Sequence, residues 1–240
     1  MQEPMPHLPP VEPSRAGGPI AATTLTPDLL ASLLADGDDE LAAWVLRHAI
    51  AERGRASVFD GLLRDAMRLV GERWETGRWT VAEEHLASQT LLRALERIRP
   101  AEGPESRVGP LAVLAGVAGE RHSLGLACLE QVLRDQAWSV ANLGPDVPPE
   151  DLARFLVRNH PALLALSASL PEREPAVREA VAAARAARAD ASLVIMLGGS
   201  IATDPAVADR FGVEVASDSL VEASRFARTV AEAALRDDPA

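Results

Sequence analysis

Glu120 and His122 stand two residues apart in Gly119-Glu120-Arg121-His122-Ser123-Leu124-Gly125, directly after the apolar run LAVLAGV. An imidazole in such a loop can reach over the edge of a sheet toward a ligand. A carboxylate two residues earlier can hold one ring nitrogen and raise the basicity of the other, as at metal-binding histidines. The same residues also read as a loop histidine beside a helix-capping glutamate. Two later segments bear on that choice. Ser167-Ala168-Ser169 offers small hydroxyl side chains that leave room and can hydrogen-bond. Gly198-Gly199-Ser200 lacks side chains where a flat group could approach the backbone, although a Gly-Gly pair also serves as a simple tight turn. In the first half, Trp74 precedes the pair Glu84-His85 by nine residues. A broad indole face and a hydrogen-bonding carboxylate could together cover a ligand. Taken singly, Trp74 reads better as a core residue and His85 as a satisfied interhelical histidine.

The elements that must position these residues fall into two groups. From Thr26 the pattern is helical. TPDLLASLLADG opens with a Thr cap and a Pro at the first helical position, then stops at Gly37. DDELAAWVLRHAIAERG starts acidic and ends basic, as the helix dipole favours. SVFDGLLRDAMRLVGERW carries Val58, Leu62, Met67, Leu69 and Val70 on a mostly apolar stripe. Thr80 and Glu83 form a capping-box pattern, which predicts a fourth helix from about Val81. Four such helices with short connections predict a bundle over 26–100. Trp44, Trp79 and Trp138 read as packing residues. After a Pro/Gly-interrupted linker around 99–110, short apolar runs alternate with helical patterns through 108–238. That grammar predicts βαβ units and a five-stranded parallel sheet. Ligands in such folds bind outside the carboxyl ends of the strands, where His122, Ser167 and Gly198 fall.

Composition narrows the function. The chain has 240 residues and a net charge of −11, its cations all arginine, which argues against a nucleic-acid surface. One cysteine, Cys128, excludes an intramolecular disulfide framework and fits a reducing compartment. The start MQEPMPHLPP has no cationic region or apolar run of a signal peptide, and no stretch reaches the length of a membrane span. A cytoplasmic location is expected, with residues 1–25 a disordered Pro-rich tail. No nucleophile–base arrangement stands out, so no enzymatic machinery is expected.

The three spaced elements together resemble the base-off/His-on cobalamin-binding signature. Glu120-x-His122-x-x-Gly125 is followed after 41 residues by Ser167-x-Ser169 and after a further 28 by Gly198-Gly199. That family uses Asp-x-His-x-x-Gly, Ser-x-Leu and Gly-Gly at matching spacings. Leu143-Gly144-Pro145-Asp146-Val147-Pro148 also looks like the family's segment after its second strand. The resemblance implies a Rossmann-like (flavodoxin-like) domain in which His122 is the lower axial ligand of a corrinoid cobalt. The benzimidazole tail would then insert past Ser167 and Gly198-Gly199. Glu120 replaces the usual Asp, a mild departure because Glu can still orient the imidazole. Ser169 replaces Leu, which puts a local contact in doubt.

Trp74 with Glu84-His85 in turn resembles the Trp-x9-Glu-His signature of CarH-type cobalamin photoreceptors. In that family adenosylcobalamin sits beneath the Trp, light breaks the cobalt–carbon bond, and the cap shifts with a change of assembly. By this resemblance Trp74, Glu84 and His85 would contact the adenosyl group. Two departures restrict the carry-over. Glu75 stands where those proteins place a second cobalt-ligating His, and only the Pro-rich tail precedes the bundle, where they carry a MerR-type DNA-binding domain. The resemblance therefore implies a light sensor or regulatory module without direct DNA binding, acting on a partner such as a transcription regulator or through self-association. The competing reading is a corrinoid methyl carrier of a methyltransferase system, with methylcobalamin as cofactor. A plain cobalamin-binding or storage module is the third.

Overall fold

The computed structural model describes residues 25–100, 109–188, 193–204 and 206–237. The expected tail, apart from Leu25, and most of the expected linker lie outside the described residues.

The first half is a helical bundle whose ends are set by local hydrogen bonds. In α1 (Pro27–Ala35) the Thr26 hydroxyl accepts the Leu29 N–H at 3.2 Å, with proline in the first turn. In α2 (Asp39–Arg53) the Asp38 carboxylate accepts the Leu41 N–H at 2.9 Å. The expected third helix is one rod made of α3 (Arg55–Val58), a π-helical turn (Phe59–Leu63) and α4 (Arg64–Glu75). The π turn had no counterpart in the periodicity. α5 (Val81–Arg97) opens with the expected capping box: Thr80 N–H donates to Glu83 Oε2 at 2.6 Å, and Glu83 N–H to Thr80 Oγ1 at 3.3 Å. Leu30, Leu46, Phe59, Val70 and Leu91 fill the bundle core at 2% exposure or less.

The second half alternates β1 (Leu111–Gly116), α6 (Leu124–Arg134), β2 (Ser139–Asn142), α7 (Pro149–Asn159), β3 (Leu163–Ser167), α8 (Glu174–Ala187), β4 (Val194–Gly198), α9 (Ala206–Phe211), β5 (Val215–Ala216) and α10 (Leu220–Asp237). All four strand pairings are parallel and the order is β2-β1-β3-β4-β5. Near-continuous apolar strands such as Leu163–Ser167, buried along their whole length, suit a sheet covered on both faces. This is a Rossmann-like domain beneath a helical cap. Its strand order reverses direction at the β1/β3 neighbours, the switch point where open α/β sheets leave a crevice.

The cap rests on α6 and α10. Cys128 and Val132 of α6 belong to the bundle's own core cluster. Two polar clasps fix the contact. Arg55 donates to Asp135 (2.6 Å) and Gln131 (2.6 Å), while buried Gln131 donates to the Leu95 carbonyl at 2.7 Å. Asp60, from the π turn, accepts the N–H groups of Leu220 and Val221 at 2.8 Å each and the Ser219 hydroxyl at 2.7 Å. A carboxylate of the cap thus serves as the N-terminal cap of the last helix of the other half, satisfying donors that the helix cannot bond itself. Among the described residues no helix is long and apolar enough to cross a membrane.

Candidate functional site

The strand register brings the sequence elements to one edge. Gly116 pairs with Ser167, and Ser167 with Gly198, so the loops after β1, β3 and β4 emerge side by side. Glu120 is 1% exposed and holds the β1–α6 loop together. Its Oε1 accepts the backbone N–H groups of Arg121 and His122 at 2.8 Å each and lies 2.5 Å from His122 Nδ1. Its Oε2 accepts the Ser169 N–H at 2.5 Å. Burial pushes this carboxyl up, but the bonds from the His122 backbone and ring and from Ser169 outweigh it and hold the pKa below the usual glutamate value. A charged carboxylate at Nδ1 requires the proton there. In the neutral ring this leaves the Nε2 lone pair for a metal, and the His122 side chain is 64% exposed.

Ser169, whose hydroxyl was the feature legible in the sequence, contributes its backbone N–H instead. Gly199 has φ +91, and a Cβ there would lie 2.2 Å from the Ala168 carbonyl oxygen, so its lack of a side chain is first a demand of packing. Gly125 differs: a Cβ would meet nothing within 4 Å, so the first turn of α6 borders open space.

That space is a cleft of about 350 Å³ between the cap and the carboxyl edge of the sheet. His122, Gly125, Ser167, Ser169, Gly198 and Gly199 all line it. The cap contributes Phe59, Leu63, Arg64, Met67 and Leu91. The volume lies within the range of small-molecule and cofactor sites, and the walls are mainly apolar. Ser167 is 9% exposed, and its hydroxyl has no hydrogen-bond partner among the described residues, leaving it available to a ligand. Cys128 also lines the cleft, but burial pushes its thiol up to about 12, which removes thiolate chemistry.

Trp74, Glu84 and His85 do not line this cleft. Trp74 follows cleft-lining Met67 by seven residues, two turns along the same side of α4, and is 46% exposed. Glu84 precedes Leu91 by the same spacing and accepts the Ser88 hydroxyl at 2.9 Å. His85, one residue on, is turned about 100° round the helix from Glu84; its side chain is 72% exposed and its Nε2 lies 3.6 Å from Glu84. The packing expectation holds for Trp138, fully buried, and for Trp79, half-buried with the Arg73 guanidinium 4.7 Å over its ring. It fails for Trp44, which is 42% exposed and stacks 4.0 Å from His48.

The sequence gives no role to Asp60, Arg64 or the Ser217–Ser219 loop after β5, and it reaches Asp146 only as part of the Leu143–Pro148 segment that resembles the family. Asp60 did leave a signal, as an acid inside the apolar stretch SVFDGLL.

An imidazole held by a buried carboxylate thus stands at the sheet's switch point, beside a mainly apolar cleft that has room for a flat cofactor. Among the described residues no three His, Cys, Asp or Glu side chains gather to hold a bare metal ion. Residues 28–99 and residues 110–218 each match a family model described as a B12 binding domain. The chain belongs to this cobalamin-binding family, and it is a cobalamin-binding protein. It is similar to the HTH-type transcriptional repressor CarH of Myxococcus xanthus, 33% identical over 173 residues, 71% of this chain and 56% of that protein. The match thus spans little more than half of the repressor's length. It is also similar to dimethylamine corrinoid protein 3 of Methanosarcina mazei, 24% identical over 160 residues, 65% of this chain and 95% of that one. The fold matches the Methanosarcina barkeri monomethylamine corrinoid protein, with a TM-score of 0.70 and 18% identity over 88% of this chain and 100% of that one.

Proposed function

We propose that this chain is an adenosylcobalamin-binding light sensor or regulatory module. In this reading His122 is the lower cobalt ligand, Glu120 orients it, and Ser167 with Gly198-Gly199 accommodates the nucleotide tail. The observation that carries the sensory reading is Trp74. It is a large indole left 46% exposed, two turns along α4 from the cleft wall, where covering an upper ligand would give it the burial it lacks. Glu84, on the matching side of α5, supplies hydrogen-bond acceptors, with His85 at the rim. The bound corrinoid supplies a cobalt–carbon bond that light can break. Loss of the covered group would remove the differential contact that holds the cap, a ligand-biased two-state switch. The similarity to a transcriptional repressor supports a regulatory output. With a net charge of −11, that output is read as contact with a protein partner or self-association, without direct nucleic-acid contact and without catalytic chemistry of its own.

The second reading is a methyl carrier using methylcobalamin. It is favoured by a sequence match covering 95% of a dimethylamine corrinoid protein. Apoprotein loaded with adenosylcobalamin in darkness, desalted and run on size exclusion before and after green light separates the two. A light-driven change in both spectrum and size, or in capture of a partner regulator, is expected. Photolysis that leaves size and partner binding unchanged would remove the sensory reading in favour of the carrier.

A further inference from the structure

The loop that carries His122 is fixed from two sides, and only one side is Glu120. The other begins in the β2–α7 connection. There the backbone continues the ladder beyond β1: Gly116 N–H donates to the Gly144 carbonyl at 2.9 Å, Val147 N–H to the Gly116 carbonyl at 2.9 Å, and Val117 bridges Val147. Between them Asp146 sits at φ +58, a left-handed conformation that costs a non-glycine residue free energy and is retained where the surroundings demand it. Its carboxylate Oδ1 accepts the N–H of Gly119 at 2.6 Å. Gly119, at φ +78, begins the loop three residues before His122. A side chain there would be strained by that φ, and its Cβ would displace the Arg173 guanidinium, whose Nη1 lies 2.4 Å from the Cβ position. Two left-handed residues from different loops are therefore bonded to each other, with a guanidinium closing the far side.

We infer that Asp146 is a positioning residue for the cobalt-ligating loop, setting the reach of His122 through the Gly119 N–H. This rests on His122 being the cobalt ligand. Glu120 orients the imidazole ring about its own axis and ties it to Ser169, whereas Asp146 fixes where the loop leaves the sheet. The local strain at Asp146 follows from that role, because a left-handed backbone there brings the carboxylate back over β1.

Three variants separate hydrogen bond from strain. Asp146→Gly relieves the left-handed backbone but removes the acceptor. Asp146→Asn keeps an acceptor oxygen and tolerates the conformation. Asp146→Ala loses both. In the apoprotein, amide hydrogen exchange at Gly119 should accelerate on the order of tenfold or more in D146G and D146A and stay near wild type in D146N. Each variant is then loaded with cob(II)alamin after ¹⁵N-histidine labelling. The fraction showing histidine coordination by electron paramagnetic resonance should fall in D146G and D146A and recover in D146N. Slow Gly119 exchange and full histidine coordination in D146G would overturn the assignment. Faster exchange with unchanged coordination would also overturn it, by showing that the bond does not set the ligand. Failure of the wild-type protein to show histidine coordination would instead count against His122 as ligand, which the apoprotein exchange result does not depend on.

Discussion

The floor of the site and its cover are built on opposite principles. On the floor, buried Glu120 accepts four hydrogen bonds counting the His122 ring, and Asp146 holds the head of the same loop. On the cover, Trp74 is 46% exposed, the His85 side chain is 72% exposed, and Glu84 bonds Ser88 one turn along its own helix. Yet the cover is not loose throughout. Its base is pinned to α10 by Asp60 and to α6 by Arg55. A histidine loop fixed below and a cap pinned at its base, with Trp74 and His85 largely exposed at the other end, is an arrangement that suits the proposed ligand-controlled movement.

The strongest way to break that contrast is on the floor. His122→Ala should abolish histidine coordination and give the largest loss of corrinoid affinity, read by spectrophotometric titration. Glu120→Gln leaves the imidazole in place but weakens its orientation. A roughly 10- to 100-fold loss of corrinoid affinity is expected, as for other groups that orient a metal-binding histidine. Acid should act through the same carboxylate. Its folded pKa lies below the unfolded value, so its stabilisation is present above the ordinary glutamate range and is lost as pH falls through the lowered value. Thermal melts of wild type and E120Q should therefore converge toward acid, and a gap independent of pH would contradict the bonding described.

At the base of the cap, Asp60→Ala leaves the Leu220 and Val221 N–H groups without their carboxylate and Arg64 with Asp218 alone. A loss of about 1–2 kcal/mol in denaturant unfolding is expected, together with faster amide exchange at the start of α10. At the rim, Trp74→Ala should cost the apoprotein less than about 0.5 kcal/mol, because the side chain is exposed. Its effect should appear only with cofactor, as a reduced preference for adenosylcobalamin over methylcobalamin in competitive titration. A large loss of apoprotein stability would show Trp74 to be a core residue and erase the contrast with the floor.

The same contrast explains what the sequence disclosed. Caps and strand grammar are local, so the Thr26 cap, the Thr80–Glu83 box and the βα alternation are readable from short windows. The floor was readable because one loop carries both Glu120 and His122, and parallel strands deliver Ser167 and Gly198 to the same edge. What stayed hidden depends on distant partners. Asp60 and Leu220 are 160 residues apart, and Asp146 and Gly119 are 27 apart. No periodicity reports such pairs. Gly199 was legible as a glycine but not for its first reason, the Ala168 carbonyl that packs against it. Ser169 was legible as a hydroxyl and acts through its N–H. Trp44 reads as a packing residue because aromatic character alone cannot distinguish the two faces of α2.

The central claim is that Nε2 of His122 is the lower ligand of a bound corrinoid, and the most direct test labels that atom. Protein grown with ¹⁵N-histidine in otherwise ¹⁴N medium is loaded with unlabelled cob(II)alamin, and its electron paramagnetic resonance spectrum is recorded. Coordination by His122 predicts doublet splitting from a spin-half nitrogen, lost in His122→Ala. Triplet splitting from the corrinoid's own benzimidazole, or a doublet that survives in His122→Ala, would contradict the account.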